Sequence, residues 1–285
     1  MENFFSASGN WLHIHKIASS LQGGTLLIHH STLGLAAPIF PAGPKVPACE
    51  TPYHPSNPGK KPAIAANGNI FLRLPVRTRF ITIGDDLAQI LREYALPQLQ
   101  SGDLLCISEK VVSLCQRRVI PRKDIHPGFW ANLLCRFVHR TPAGPGAGTP
   151  HKMQLCIMQC TLPRVLFAAF CAAITKPLGF KGIFYRICGH QVGAIDGLVD
   201  QDISFAAYYH YGILAPENPE KVCQWAESLL GIPCAIVDAC DYHVEIMGLS
   251  SASPYSRDQL QEILRDNPAG QGGETTPFVL VRPIS

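Results

Sequence analysis

The stretch 214–248, LAPENPEKVCQWAESLLGIPCAIVDACDYHVEIMG, restricts the fold more than any other part of the chain. Pro219 stands in a first helical turn, where its missing N–H costs nothing. Glu217 and Glu220 lie at the positive end of the helix dipole, and Gly231 supplies the stop. The helix feeds directly into an apolar run, Ile232–Val237, of strand length. Helix and strand are interleaved in the same way along most of the chain. Leu72, Leu74 and Val76 alternate with polar neighbours, as in a half-buried strand. GDDLAQILREYALPQL (84–99) reads as an amphipathic helix capped by Asp85 or Asp86, with Leu87, Ile90, Leu91 and Tyr94 on its apolar face. Leu104–Ser108 is an apolar strand, KMQLCIMQC and the segment around Val165–Ile174 are helices, and the last thirty residues hold a helix, a Gly-rich turn and an apolar strand. Interspersed elements of this kind point to α/β or α+β; the class expected is α+β, mixed β-sheets with flanking helices.

Residues 1–70 differ. They include APIFPAGPKVPACETPYHPSNPGKKPA, Pro-rich and without apolar period, which buries too little surface to offset its ordering entropy. The expectation is a disordered leader over 1–70 and one folded domain over 71–285. His13, His15, His29 and His30 in the leader are either metal ligands or stray exposed histidines.

The net charge of +3 is spread thinly, and QRRVIPRK (116–123) is the only local basic cluster. That argues for a solvated loop and against a nucleic-acid partner. The most apolar segment, VLFAAFCAAI (165–174), is followed by Lys176 and Pro177 and is too short to span a bilayer. No membrane association is expected, and a cytoplasmic location is. The 11 cysteines form no framework and lie mostly in apolar company, as small buried hydrophobes in a reducing compartment. Cys156 and Cys160 are spaced for one helix face rather than for zinc.

Acids at strand ends are the most informative chemistry. Asp238 follows Ile236–Val237, and Asp196 follows Ala194–Ile195 and precedes Gly197. Two carboxylates brought together repel, and a hard divalent cation relieves that cost. The alternative for Asp238 is a turn cap. Asp241 follows closely, while His243 and Glu245 alternate with Val244 and Ile246 as the polar face of a strand. His190, in GHQVGAIDG, is a general base, a ligand or a structural histidine. Lys110, just past a strand in SEKVVS, is a point charge for phosphate or a surface lysine. The Gly/Pro-rich segment 140–153 lacks the phosphate-cradling pattern and reads as a connector, with Lys152 at its end.

From LPVRTRFITIGDDLAQIL through DLLCISEKVVS the chain resembles the coenzyme F420-0:L-glutamate ligase family. Lys110, Val111, Val112 and Ser113 match that family's Lys-Ile/Val-Val-Ser motif. AIDG (194–197) is similar to its Ala-Gly-Ile-Asp motif, LAPENPEKV to its Leu-Pro-Glu-Asp-Pro-Asp helix start, and CAIVDACD to the strand ending in its metal-binding aspartate. The likeness spans about 71–285. It implies a ligase-like α+β fold, a homodimer, and an enzyme that joins glutamate to the phosphorylated side chain of a deazaflavin acceptor. GTP and Mg²⁺ or Mn²⁺ are the implied co-substrate and cofactor, and an acyl phosphate the implied intermediate. Carried over by position, Asp196 and Asp238 hold metal and Lys110 and Ser113 meet the nucleotide, while Asp241 and Glu245 are offered as further ligands to complete the set. AGQGG (269–273) offers Gln271 to it as well, and His190 joins Lys110 as a catalytic candidate. The chain departs from the family at Gly197-Leu198-Val199, where a Ser-Asn-Val stretch is usual, and at Ala239-Cys240-Asp241-Tyr242, where a Thr-Phe-Gly-Arg-Pro stretch supplies an arginine. A non-catalytic binding paralogue is the rival reading.

Overall fold

The structure is a computed structural model that describes residues 56–138, 146–180, 182–198 and 208–284, all within the unit spanning Lys45–Ser285. The four leader histidines lie outside the described residues. Order begins well before residue 71. Strands β1 (Ala63–Ala66) and β2 (Asn69–Val76) form a hairpin across Asn67-Gly68, both at positive φ (49° and 77°), the pairing that a two-residue turn favours. Asn57 is buried as well, donating to the Pro268 carbonyl (2.9 Å) and the Thr276 hydroxyl (2.8 Å). The boundary expected at residue 70 is therefore corrected: the Asn-Gly turn was hidden inside a Pro-rich composition.

After β2 come α1 (Leu87–Ile90), continued by a widened turn to Ala95, then β3 (Leu104–Ser108), α2 (Glu109–Cys115) and β4 (Val119–Pro121). Asp86 caps α1 by accepting from the Ala88 amide at 2.8 Å. A helical group follows: α3 (Phe129–Leu134), α4 (Pro150–Cys160), α5 (Leu162–Thr175), α6 (Ile183–Cys188) and α7 (His190–Gly193). Then come β5 (Asp196–Gly197), β6 (Tyr211–Ile213), α8 (Pro219–Leu230), β7 (Cys234–Cys240), β8 (His243–Leu249), α9 (Arg257–Leu264) and β9 (Phe278–Ile284).

Six strands make one sheet in the order β1-β2-β9-β3-β7-β8. Every neighbouring pair is antiparallel except β3 and β7. A second sheet runs β4-β6-β5. Helices and a mixed sheet in this arrangement are an α+β fold. One face of the large sheet, carrying Leu105, Ile107, Ile236, Phe278 and Leu280, packs with residues of α1, α2 and α8. The opposite face, carrying Leu104, Cys106, Ala235, Val237 and Val279, packs with Leu260, Ile263 and Leu264 of α9. A third apolar cluster gathers α3 to α7.

Because both faces are covered, β2 is not a half-buried strand with a polar side. Phe71, Arg73 and Pro75 are buried, while Leu72 and Leu74 are only partly so. Arg73 has no exposed surface; its guanidinium pairs with Asp266 and donates to the Ile263 carbonyl. Asp103 is likewise buried, clasped by Arg282 through two bonds of 2.7 and 2.8 Å. The ten described cysteines are free, and eight are buried. Among the described residues no single helix is long and apolar enough to cross a membrane.

Candidate active site

The parallel pair β3–β7 sets the site. Ser108 is in register with Val237, so the residues that follow Ser108 in the chain lie beside Asp238. Ligands of open sheets gather outside the carboxyl ends of such parallel strands. On β7 the apolar face Cys234–Ile236 continues as Asp238 and Cys240 because side chains alternate. Asp238 remains in the ladder opposite Glu245, so it is a strand residue and not a turn cap.

Lys110, the second residue of α2, is buried, and its ammonium lies among three carboxylates. It is 2.9 Å from Asp196 Oδ2 and 3.9 Å from Asp238 Oδ1, and it is paired with Glu109. The two aspartate carboxyls are thus brought to one place, with a lysine between them. Glu109 is almost fully buried, and its Oε2 has no hydrogen-bond partner among the described residues. Burial alone pushes the Lys110 ammonium down, but Asp196 and Asp238 outweigh it and hold the group above its usual value. Burial likewise pushes Asp196 up, and Lys110 and Lys152 outweigh it, so its carboxyl lies below the usual range. Both groups are therefore charged across neutral pH. The Lys110 contribution to stability is lost as pH rises through its raised value, and that of Asp196 as pH falls through its lowered one.

Asp196 is delivered by a tight crossing. β5 pairs Gly197 with Gly212 of β6, and Gly197 has φ +75°. A Cβ there would overlap the Tyr211 carbonyl oxygen, and one on Gly212 would overlap Leu155. Gly197→Ala is therefore expected to cost about 1–3 kcal/mol and to displace Asp196 from Lys110. A thermal melt reads the first effect; an unaltered melting point would mean that the β5–β6 approach is looser than described.

The expected metal trio is not assembled. Asp241 lies in the turn after β7, and its carboxylate pairs with Lys60 at 2.7 Å, a residue of the supposed leader. Lys60 also donates to the Asp266 carbonyl at 2.7 Å. Gln271 is exposed and accepts from the Asp241 amide at 3.3 Å, so both belong to the hairpin end rather than to the lysine. Among the described residues no three His, Cys, Asp or Glu side chains stand together as a ready ligand set. Ser113 has no exposed surface, and its hydroxyl lacks a hydrogen-bond partner among the described residues. That burial leaves it no surface for a nucleotide. Glu245, offered as a further ligand, pairs with His190 Nδ1 instead. Sequence reasoning missed that pair and the burial of Lys152, whose charge reaches Asp196. The acid-after-strand signal that marked Asp238 also marks Glu109 and was its only cue.

A family model described as F420-0:Gamma-glutamyl ligase matches residues 75–225, a span that carries Lys110, Ser113, His190 and Asp196. Asp238 and the β7–β8 hairpin lie beyond the matched span. No curated protein matches the chain. The match runs from β2 into α8 and covers more than half of the 285 residues, so the chain belongs to the F420-0:Gamma-glutamyl ligase family.

Proposed function

We propose that this member of a ligase family forms an amide between glutamate and the carboxylate of a phosphorylated deazaflavin acceptor, using GTP. The observation that carries the reading is Lys110 held between Asp196 and Asp238 at the mouth of the β3–β7 pair. A carboxylate accepts an amine only after activation, and phosphorylation by GTP gives the acyl phosphate with a competent leaving group. Lys110 is the point charge for the incoming phosphate oxygens.

Magnesium and manganese ions take one or two carboxylates together with substrate phosphates rather than a full protein cage. Asp196 and Asp238, each about a third to a half exposed (46% and 36%), fit that demand, and they would hold Mg²⁺ or Mn²⁺. When bound, such a cation draws charge from the transferring phosphoryl group. A homodimer in the cytoplasm, acting on nucleotide, glutamate and phosphorylated acceptor without nucleic acid or membrane, completes the reading. The ten described cysteines, free and mostly buried, support a reducing compartment.

A second reading, a binding paralogue without catalysis, is favoured by one observation. Ala239-Cys240-Asp241-Tyr242 lacks the arginine that would balance phosphate charge.

Protein incubated with GTP, Mn²⁺, glutamate and the deazaflavin acceptor should release phosphate and add one glutamyl unit to the acceptor, seen by mass spectrometry. No phosphate release with any nucleotide favours the binding paralogue. Asp238→Asn is expected to keep its fold but lose the thermal stabilisation by Mn²⁺. For the parent that stabilisation is about 2.7 kcal/mol at a hundredfold excess over Kd. An unchanged response to Mn²⁺ removes Asp238 from the cation site.

A further inference from the structure

We infer that His190 and Glu245 act as a base dyad that takes the proton from the attacking amine, His190 as the catalytic residue and Glu245 as its positioning residue. The inference rests on the ligase reading above. Amide formation leaves one problem that Lys110 and the aspartates do not address. An amino acid arrives as an ammonium, and its nitrogen has no lone pair until a proton is removed.

The geometry supplies a group for that task. Glu245 stands opposite Asp238 in the β7–β8 ladder, on the same face of the sheet, where cross-strand neighbours have Cβ atoms about 5 Å apart. Asp238 in turn lies 3.9 Å from Lys110. The dyad is thus one residue removed from the phosphate-binding lysine. The Glu245 carboxylate, 29% exposed, grips His190 Nδ1, while the ring is 78% exposed. One nitrogen is fixed, and the other, Nε2, lies on a ring open to solvent and substrate. A carboxylate on Nδ1 sets the tautomer and the ring orientation, as in other histidine bases. Helix α7, which carries His190, packs on α6 and α4. The titratable groups on those elements are Tyr185, Arg186 and Cys188 on α6 and His151, Lys152, Cys156 and Cys160 on α4. Glu245 is the acid that meets the ring.

In the step itself the amine nitrogen gives its electron pair to the acyl carbon and the C–N bond forms. His190 Nε2 has by then taken one proton from the ammonium and passed it to water. The C–O bond to the phosphate oxygen breaks, inorganic phosphate leaves with that electron pair, and the second proton shed by the nitrogen goes to the departing phosphate.

Hydroxylamine tests this directly, because it is unprotonated at neutral pH and traps acyl phosphates without a base. In His190→Ala, glutamate ligation should fall about 10²-fold while hydroxamate formation changes by less than about tenfold. Added imidazole should restore part of the glutamate rate. Glu245→Gln should lower glutamate ligation by about tenfold and leave hydroxamate formation intact. Equal loss with both nucleophiles, or no loss with either, overturns the dyad and leaves ligation standing. A parent protein that makes neither amide nor hydroxamate overturns the ligase reading and the dyad with it.

Discussion

Asp103→Ala is expected to lower the free energy of unfolding by about 3–5 kcal/mol, the cost of breaking a buried ion pair from one side. Asp103 has no exposed surface and receives three bonds. Two come from Arg282, at 2.7 and 2.8 Å, and one from the Gln100 amide at 2.8 Å. Without the carboxylate, the Arg282 guanidinium, only 11% exposed, loses both of its bonds to Asp103 and stays held to the Gln98 carbonyl at 3.2 Å. The Gln100–Asp103 turn that leads into β3 loses its clasp as well. A double replacement by apolar residues of similar volume, Asp103→Leu with Arg282→Met, should recover much of the loss, since no charge is left stranded. Urea denaturation reads both variants. A single variant within about 1 kcal/mol of the parent would mean that water reaches this pair.

Lys110→Met carries the largest expected effect on function. Ligation should fall by about 10²–10³-fold, the usual consequence of removing one preorganised charge from a phosphoryl-transfer site. The same change should tighten Mn²⁺ binding, because the ammonium at 2.9 and 3.9 Å from Asp196 and Asp238 is itself the competing cation. In chelator, the variant leaves Glu109, Asp196 and Asp238 facing one another with that ammonium gone, and its melting temperature should drop. On adding Mn²⁺ it should rise by more than the parent's. Calorimetric titration with Mn²⁺ decides the point: an affinity no higher than the parent's would show that lysine and metal do not contend for the same oxygens.

The elements with strong local signals were legible. Leu104–Ser108, the helix 219–230 with its Gly231 stop, and the final helix and strand were all readable from period and punctuation. So was the likeness to the family, because SEKVVS and AIDG are short local strings. What failed depends on partners distant in sequence. Arg73 sits in a strand with regular alternation, yet it is buried because α9 covers that face and Asp266 waits there. Composition hid the β1–β2 hairpin, since Asn67-Gly68 follows a Pro-rich run. In the site, strand-end acids marked Asp196 and Asp238. Their counter-ion was not visible, because it depends on β3 and β7 being neighbours, with α2 starting just beyond β3. The destination of Asp241 depends on Lys60, 181 positions away in the chain, which no local pattern reveals.

The placement of β9 between β2 and β3 has a consequence for how the chain is made. The ribosome delivers the β1–β2 hairpin early, but its inner neighbour is built from residues 278–284, roughly 200 residues and on the order of 10–40 s of translation later. During that interval the exposed edge of β2 is an invitation to stray pairing, and nascent-chain guardians such as holdase chaperones are the natural cover for it.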